Sequence, residues 1–367
     1  MTLPLFEHHR KRSARMTDFH GYMLPLSFTS ILEEAKAVRE RAGLFDISHM
    51  GHFCVTGPGA RKAMNSLITS DLEMVPFGKS LYGLLLNPEG GTIDDLILAC
   101  PDEETVHMIV NAGNRFGDFF WIRSQLPSSL TLTDMSPGQI ALALQGPSAR
   151  KIVGILGQGF ESMGRREVRL PHFGNGSLWV SRTGYTGEDG WEFFGPAAIL
   201  LDYYLKLSEG GPDFGMLQAG LGARDLLRLE MAYPLYGQEL GPDRTPIDAG
   251  LDFAVNFRKI SFVGREPLLE KRSDSRRERL VGFSLTDRGI PRSNCSVLDL
   301  DTGRRVGEVT SGGYSPRVGG GFGLAYLDPS FAREFLLRRE AGVEIHGKIH
   351  RAKVHARPFI SGGLIEK

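Results

Sequence analysis

The secondary structure that the sequence favours changes near residue 277, and this change limits the possible folds. Before it, helical patterns alternate irregularly with short strand-like runs, which predicts α+β units instead of a regular βαβ array. From about Arg277, glycine and short strand patterns such as RRVGEVTS (304–311) dominate and predict a C-terminal all-β domain. The predicted helices span residues 31–42, 59–68, 114–125, 148–156, 197–208 and 221–231. The predicted strands span residues 44–47, 52–56, 82–86, 92–98, 105–111, 177–182, 191–195, 252–257, 279–285 and 304–310.

Two local signals give expected boundaries. Ser30 and Glu33 have the spacing of a capping box at the start of the first of these helices, and Gly43 is expected to end it. The charged segment 270–279 (EKRSDSRRER) lacks apolar periodicity and is the expected boundary before the all-β domain. A chain of 367 residues is long enough for two or three domains.

Composition excludes several classes of function. The chain carries 43 basic and 43 acidic residues, which argues against a protein whose main task is holding nucleic acid or an anionic membrane. No run approaches the roughly 18 apolar residues of a membrane span, and the first 30 residues lack the apolar segment of a signal peptide, so a soluble protein is expected. The basic stretch HHRKRSAR (8–15) is interpreted as a solvated face.

Cysteine usage and short motifs narrow the chemistry. Cys54, Cys100 and Cys295 are widely spaced, which predicts reduced thiols in a cytoplasmic compartment, and no CxxC or HxxxH pattern indicates a metal. FGKS (77–80) has Glu73 where a phosphate-binding loop needs glycine. The glycine-rich run 312–323 does not have dinucleotide-binding spacing and is interpreted as tight turns, and no GxSxG motif supports serine hydrolysis.

The stretch NPEGGTIDDLILA (87–99) carries two adjacent carboxylates into an aliphatic strand. Asn87-Pro88 and Gly90-Gly91 supply the turn of a hairpin. Side chains alternate along the returning strand, so Asp94 and Asp95 face opposite ways and only one can serve a given site. One reading has one aspartate cap the turn and the other face solvent. The other has a carboxylate buried for use, since burial among aliphatic side chains is costly otherwise.

Three further positions attract attention, although each has an ordinary structural explanation. Glu192 points away from its neighbours Trp191 and Phe193, so it is either an exposed strand residue or an acceptor for a ring that offers two parallel N–H donors. Arg224 lies in the first turn of a predicted helix, where the dipole disfavours a cation. Asp225 and the Asp225–Arg228 spacing offset that cost, or Arg224 meets an anionic or carbonyl group. Asn111 ends a strand, where asparagine is common.

In order along the chain, these motifs and their neighbours resemble the aminomethyltransferase family of glycine cleavage systems, the T-proteins. The resemblance runs from about Leu5 to Phe359. The matching blocks are RSARMTDFHGYMLPLSF, RAGLFDISHMGHFCVTGP, FGKSLYGLLLNPEGGTIDDLIL, VNAGNRFGDFFWI, LALQGPSA, SRTGYTGEDGWE, GLGARDLLRLEMAYPLYGQEL and GEVTSGGYSP. Segment 158–176 matches poorly, and Gly21-Tyr22 and Ala99 depart from the family pattern.

The resemblance implies an α+β protein of three domains in a cloverleaf-like arrangement, with ferredoxin-like or antiparallel α+β lobes and a C-terminal β-barrel of jelly-roll type. The first domain would combine residues 1–53 with 136–236 and bind folate. The second would combine residues 54–135 with 237–275 and carry the catalytic aspartate, and the third would span residues 276–367.

The resemblance also implies a reaction. The lipoylated H-protein would deliver an aminomethyl group on its dihydrolipoyl arm, and the products would be ammonia and methylenetetrahydrofolate. Asp95 matches the catalytic carboxylate, and Glu192 and Arg224 match residues that recognise the pterin ring. The other folate-lining positions are Asn111, Tyr82, Met50, Tyr185 and Tyr233. Because an ordinary aspartate is ionised at neutral pH, Asp95 is expected to stabilise cationic character, and a role as proton donor would require burial to raise its pKa.

Two relatives in the same superfamily provide alternatives. A folate-binding protein of iron–sulfur maintenance would carry a Lys-Gly-Cys-Tyr-x-Gly-Gln motif, whereas this chain has YPLYGQEL (233–240) with no cysteine near Tyr236. A folate-dependent demethylase would act on an N-methyl or sulfonium substrate. A plain interaction module would give Asp95, Glu192 and Arg224 no reason to converge.

Overall fold

The computed structural model describes residues 2–173, 176–274, 277–329, 331, 340–355 and 359–360. These residues divide into two compact units. The N-terminal unit comprises the described residues up to Leu85 together with Asp94–Asp225, and the C-terminal unit comprises Leu86–Ile93 and the described residues from Leu226 onward. Within the described part of the chain, no helix is long and apolar enough to cross a membrane.

The first 230 residues fold into an irregular succession of helices and strands, as the sequence predicts. The elements are α1 (Phe6–Lys11), β1 (Arg15–Phe19), β2 (Tyr22–Ser27), α2 (Ile31–Glu40), β3 (Ala42–Asp46), β4 (Gly51–Thr56), α3 (Ala60–Leu67), β5 (Ser80–Leu86), β6 (Thr92–Ala99), β7 (Thr105–Val110), α4 (Arg115–Gln125), β8 (Thr131–Asp134), β9 (Gln139–Gln145), α5 (Ala149–Val153), β10 (Val168–Arg169), β11 (His172–Phe173), β12 (Gly176–Ser177), β13 (Trp179–Ser181), β14 (Gly190–Pro196), α6 (Ala197–Gly210), β15 (Met216–Ala219) and α7 (Leu221–Glu230).

Two sheets organise the N-terminal unit. One has the strand order β10-β13-β14-β9-β3-β15, and the other has the order β5-β6-β7-β4-β8. One face of the first sheet is apolar: Leu44, Leu142, Val180, Trp191 and Phe193 pack there with residues of α5 and α6. Burial of a large apolar side chain such as Phe193 stabilises the fold by roughly 1.5–3 kcal/mol. The opposite face carries Glu192 and Ser181 beside buried apolar residues such as Phe194.

The C-terminal unit contains a closed barrel, which confirms the predicted all-β domain. The remaining elements are α8 (Arg265–Ser273), β16 (Arg279–Leu285), β17 (Ser296–Leu298), β18 (Arg305–Ser315), β19 (Gly320–Leu327), β20 (Glu340–Ile345) and β21 (Lys348–His355). The barrel order is β16-β19-β18-β17-β20-β21, and β21 pairs with β16 to close it. Every pairing is antiparallel. Closure removes the exposed strand edges that invite aggregation, while Val297, Val309 and Val343 fill the interior.

All six predicted helices are present, and the Ser30 cap is confirmed because Ser30 Oγ accepts a hydrogen bond from the Glu33 amide at 3.2 Å. The predicted stop at Gly43 is wrong. Helix α2 ends at Glu40, and Gly43 lies inside β3, where a Cβ atom would approach Val38 Cγ2 to 2.5 Å. This glycine allows close packing of the helix on the strand instead of capping the helix.

Three other sequence predictions need correction. The strand predicted over residues 252–257 is a 3-10 turn at Asp252–Ala254 followed by irregular chain, since a short apolar run does not by itself identify a strand. The expected boundary at 270–279 begins as the end of helix α8. The basic stretch is exposed at Arg10, Lys11 and Arg12, but His9 is buried and lies 2.8 Å from a carboxylate oxygen of Asp46. The three-domain division stays a prediction.

Candidate active site

Asp95 projects from strand β6 beside the hairpin that carries the glycine turn. The turn forms as predicted, with the Gly91 amide donating to Asn87 Oδ1 at 2.7 Å and Gly90 at a φ of +85°. Along the strand, Asp94, Leu96 and Leu98 are buried, while Ile93, Asp95 and Ile97 are half-buried. The alternation that separates the two carboxylates is confirmed.

Two predicted site residues hold the Asp95 carboxylate. The Tyr82 hydroxyl on β5 donates to Asp95 Oδ2 at 3.0 Å. Asn111 follows the end of β7. Its side-chain nitrogen Nδ2 donates to Asp95 Oδ1 at 2.9 Å and to the Asp95 carbonyl oxygen at 3.1 Å. Both oxygens of Asp95 are therefore oriented by neighbours from adjacent strands.

Burial raises the pKa of Asp95 to about 7, and the neighbouring Asp94 charge adds to the effect. The hydrogen bonds from Tyr82 and Asn111 act in the opposite direction because they stabilise the charged form. At neutral pH the acid and the carboxylate are both populated. This meets the condition under which Asp95 can also move a proton.

Asp94 lies behind the strand and is held by the turn that follows β7. Its Oδ2 accepts from the Asn111 backbone amide at 3.0 Å, and its Oδ1 accepts from the side-chain amides of Asn111 at 2.8 Å and Asn114 at 2.7 Å. It is not the solvated carboxylate of the structural alternative. One side chain, Asn111, contacts both aspartates, so the two faces of the strand are linked.

Glu192 lies on the face of the first sheet opposite that of Trp191 and Phe193. Trp191 and Phe193 are buried on the apolar face, and Glu192 is half-buried opposite Ala143. The Thr183 hydroxyl donates to Glu192 Oε2 at 2.6 Å. The carboxylate is thus fixed at the sheet surface and can accept further N–H donors.

Arg224 is brought to the same region by the turn between β15 and α7. Gly220 permits this turn because a Cβ atom there would approach the backbone of Leu26 to 2.4 Å. Arg224 Nη2 contacts Met50 Sδ at 3.8 Å, and the guanidinium lies 5.1 Å from the centre of the Tyr185 ring. Among the described residues, Arg224 Nη1 is buried and has no hydrogen-bond partner.

The electrostatics of Arg224 follow from this position. Burial lowers its pKa, while the negative charge of Glu192 and the Tyr185 hydroxyl oppose that shift. A buried donor without an acceptor costs roughly 1–3 kcal/mol, more when it is charged. Such a cost is usual where a ligand supplies the missing acceptor.

Seven of the eight predicted site residues form one chain of neighbours in the N-terminal unit. Tyr82 joins the two halves, because it donates to Asp95 and its pKa is raised mainly by burial and also by Asp95 and Tyr185. All seven are half-buried, as expected for the walls of a ligand site. They are Met50, Tyr82, Asp95, Asn111, Tyr185, Glu192 and Arg224.

Tyr233 is the eighth predicted site residue. It belongs to the C-terminal unit, where its carbonyl oxygen accepts from Arg228 Nη1 at 3.1 Å. Its predicted role at the folate site stays a prediction.

Comparisons with known proteins identify the family. The model of the GCVT N-terminal domain matches residues 5–259, and that of the glycine cleavage T-protein C-terminal barrel domain matches residues 278–360. The chain belongs to the aminomethyltransferase family of the glycine cleavage system. The resemblance is confirmed, and the protein is an enzyme of the transferase class.

Individual family members agree over nearly the whole chain. An aminomethyltransferase of Halothermothrix orenii is 40% identical over 329 residues, which cover 88% of this chain and 90% of the relative. One of Synechococcus elongatus is 39% identical and covers 99% of this chain and 96% of the relative. The crystal structure of glycine cleavage system aminomethyltransferase T from Bartonella henselae superposes with a TM-score of 0.90 at 32% identity, covering 99% of this chain and 98% of that one.

Sequence reasoning missed several residues of this candidate site. Thr183 orients Glu192, and Asn114 holds Asp94, but both lie in turns where such residues need no special explanation. His49 is buried, and burial followed by the charge of Arg224 lowers its pKa to about 3. Its position next to Met50 in the block RAGLFDISHMGHF was the signal that could have identified it.

Proposed function

We propose that this aminomethyltransferase takes the aminomethyl group from the dihydrolipoyl arm of the H-protein, releases ammonia and forms methylenetetrahydrofolate. Tetrahydrofolate enters as a co-substrate, and its two nitrogens accept the one-carbon unit. The reaction is placed in the cytoplasm, where the free thiols Cys54, Cys100 and Cys295 would stay reduced. The observation that carries the proposal is the buried Nη1 of Arg224, which has no hydrogen-bond partner in the part of the chain that the structure describes and lies near the Glu192 carboxylate.

The residues present fit a pterin ring. A pterin offers an amide N–H and an amino group side by side, which match a carboxylate, and a carbonyl oxygen, which matches a guanidinium N–H. Glu192 and Arg224 supply these complementary groups on half-buried walls. Met50 and Tyr185, both in contact with Arg224, would pack against the ring and fix the guanidinium.

Asp95 carries the reactive chemistry in this proposal. The carbon–nitrogen and carbon–sulfur bonds of the aminomethyl thioether break, and two carbon–nitrogen bonds form. The two hydrogens on the accepting nitrogens end on ammonia and on the lipoyl sulfur. Positive charge develops on the transferred carbon, and the Asp95 carboxylate stabilises it. Because the pKa of Asp95 is raised to about 7, the same group can also pass a proton to the departing amine.

Tyr82 and Asn111 would keep Asp95 in place during this reaction. They hold separate oxygens of the carboxylate, so the group cannot rotate freely. Orientation of this kind contributes to catalysis by fixing the reacting geometry before the reaction begins. Tyr233 is proposed as an additional wall residue of the folate site.

The direct test mixes the protein with tetrahydrofolate and aminomethylated H-protein and measures ammonia and methylenetetrahydrofolate. Equal amounts of both products support the proposal. If an authentic carrier gives no product, but an N-methyl or sulfonium donor gives methylenetetrahydrofolate, the protein is a demethylase. Folate binding without turnover on any donor would favour the non-enzymatic folate-binding relative.

A single substitution tests the role of Asp95. We expect Asp95→Asn to bind tetrahydrofolate with nearly parental affinity and to lose about 10²–10⁴-fold in turnover, since the amide can neither carry the charge nor move the proton. Asp213→Asn, at an exposed aspartate of the same unit, is the matched control and should leave both quantities unchanged. Undiminished turnover in Asp95→Asn would remove Asp95 from the mechanism.

A further inference from the structure

Another buried carboxyl group, that of Asp118, lies next to Asp94 and outside the site described so far. Asp118 is in the first turn of α4 and has no solvent exposure, as is also true of Asp94. Neither carboxylate oxygen of Asp118 has a hydrogen-bond donor among the described residues. The nearby Arg115 is engaged with Asp134 at 2.6 and 3.0 Å.

Only one of the two carboxyl groups carries a negative charge. Ionising two buried carboxyl groups in contact is strongly unfavourable, so one stays protonated and donates a hydrogen bond to the other. Asp94 accepts three N–H donors, which stabilise its charged form. Asp118 accepts none, so the shared proton belongs on Asp118. Burial, the charge of Asp94 and the hydrogen bond between them raise the pKa of Asp118 far above its usual range.

We propose that Asp118 is a positioning residue, which stays protonated and donates its O–H to Asp94, so that Asp94 can hold the Asn111 amide that orients Asp95. The path is continuous through side chains on α4, β6 and the end of β7. The proposal deepens the proposed function, on which it rests, because the group that it finally positions is Asp95.

This arrangement controls charge as well as geometry. A protonated Asp118 leaves one negative charge, on Asp94, beneath the site. That charge contributes to the raised pKa of Asp95. The titratable groups that face the Asp94–Asp118 pair are Asp95 and Tyr82. The ring of His20 lies near Gly113, two residues before helix α4 begins.

Two substitutions at Asp118 separate positioning from simple packing. Asp118→Asn keeps the shape, the neutral charge and a donor toward Asp94, so turnover and its pH profile should stay within about twofold of the parent. Asp118→Leu removes the donor and leaves Asp94 one hydrogen bond short. It should lower kcat by roughly 10–100-fold with the KM for tetrahydrofolate unchanged, and displace the pH profile. Both variants and the parent are assayed as full chains with tetrahydrofolate and aminomethylated H-protein.

A second measurement does not depend on activity. The pKa of Asp118 is raised in the folded protein, so its contribution to stability is present at low pH and is lost as the pH rises. Between about pH 5.5 and 8, folded protein holds about one proton on Asp118 that unfolded protein releases. Asp118→Asn should reduce the proton difference, obtained from the pH dependence of unfolding, by about one. It should also remove an infrared carbonyl band of a protonated carboxylic acid.

These measurements distinguish the two proposals. A parental protein that transfers no aminomethyl group overturns the proposed function, while the proton count and the infrared band still test the carboxyl pair. The positioning role is overturned if Asp118→Asn is as impaired as Asp118→Leu, or if Asp118→Leu keeps the parental pH profile. It is also overturned if Asp118→Asn leaves the proton difference unchanged. Should Asp118→Leu fail to fold, the Asp118→Asn results alone decide.

Discussion

Arg224 and Arg228 lie one turn apart on helix α7 but have opposite hydrogen-bonding environments. In the C-terminal unit, Arg228 donates from Nη1 to the Tyr233 carbonyl oxygen and to Glu239 Oε2, each at 3.1 Å, and from Nη2 to Ser311 Oγ at 2.9 Å. In the N-terminal unit, Nη2 of Arg224 meets a sulfur atom and Nη1 has no partner among the described residues. Both guanidinium groups are shielded from bulk water.

We interpret Arg228 as a structural arginine, and Arg224 is the proposed ligand-binding one. A buried guanidinium whose terminal nitrogens have acceptors contributes to the fold, and removal of such a partner leaves a buried charge uncompensated. A buried guanidinium with an open nitrogen weakens the fold by itself and gains its acceptor from a ligand. Four predictions test this interpretation.

The largest expected effect follows from Arg228→Met. It leaves the Glu239 carboxylate buried without its cation and should lower the free energy of unfolding by about 3–5 kcal/mol. Urea unfolding followed by circular dichroism measures the loss. The double variant Arg228→Met/Glu239→Met removes both charges and should recover most of it. Recovery of less than half would mean that Arg228 stabilises the fold mainly through contacts other than this ion pair.

Arg224→Met should affect ligand affinity and leave stability almost unchanged. Its free energy of unfolding should change by less than about 1 kcal/mol, because the lost contact with the Tyr185 ring is offset by the removal of an unsatisfied donor. Its dissociation constant for tetrahydrofolate should rise about 10–100-fold, the value of one or two hydrogen bonds to a charged group. Isothermal titration calorimetry measures this affinity. A large loss of stability with unchanged affinity would make Arg224 a structural residue like Arg228.

The carboxylates near the two arginines allow a parallel test with a smaller effect. Glu239 accepts from Arg228 and from the Leu235 amide, whereas Glu192 accepts from the Thr183 hydroxyl. Glu192→Gln keeps the shape but replaces one acceptor oxygen by a donor, and should weaken tetrahydrofolate binding roughly tenfold. Unfolding should be little changed. Equal affinity for parent and variant would show that Glu192 does not accept from the ring.

The smallest effect concerns pH. His49 is neutral in the folded protein because its pKa is lowered to about 3, first by burial and then by Arg224. The stability that this provides is present above about pH 6.5 and is lost as the pH falls toward the folded-state value. In Arg224→Met the folded-state pKa rises, so the loss of stability between pH 6.5 and 5 should shrink by less than about 1 kcal/mol. When His49 is replaced by Gln, Arg224→Met should no longer alter the pH dependence of the free energy of unfolding in this range.

Much of the fold could be predicted because local patterns and tertiary structure agree. The Ser30 cap, the NPEGG turn and the alternation along β6 are each fixed by residues within a few positions of one another. The family resemblance pointed to Asp95, Glu192 and Arg224, which the fold brings into one network, and their roles stay predictions. Periodicity alone could not have joined them, since they come from strands and a helix far apart in sequence.

The error at Gly43, the omission of Asp118 and the burial of His9 share one physical cause, which is contact between distant segments. Gly43 resembled a helix stop, but the reason for glycine is the approach of Val38 to the strand. The sequence analysis did not single out Asp118, since an acid in the first turn of a helix is ordinary, and its surroundings become unusual only when β6 brings Asp94 next to it. His9 belonged to a basic run and is buried because Asp46, 37 positions away, pairs with it.

The buried thiols have a consequence for handling a dithiol. Burial raises the pKa of Cys54 to about 11 and that of Cys100 to about 12, so both remain thiols at neutral pH. Only the thiolate attacks a disulfide. An enzyme whose proposed donor arrives on a lipoyl arm, which alternates between dithiol and disulfide in its working cycle, thereby keeps these two sulfurs out of mixed disulfides. Under the proposed function, neither of these two thiols would capture a lipoyl arm that carries a disulfide.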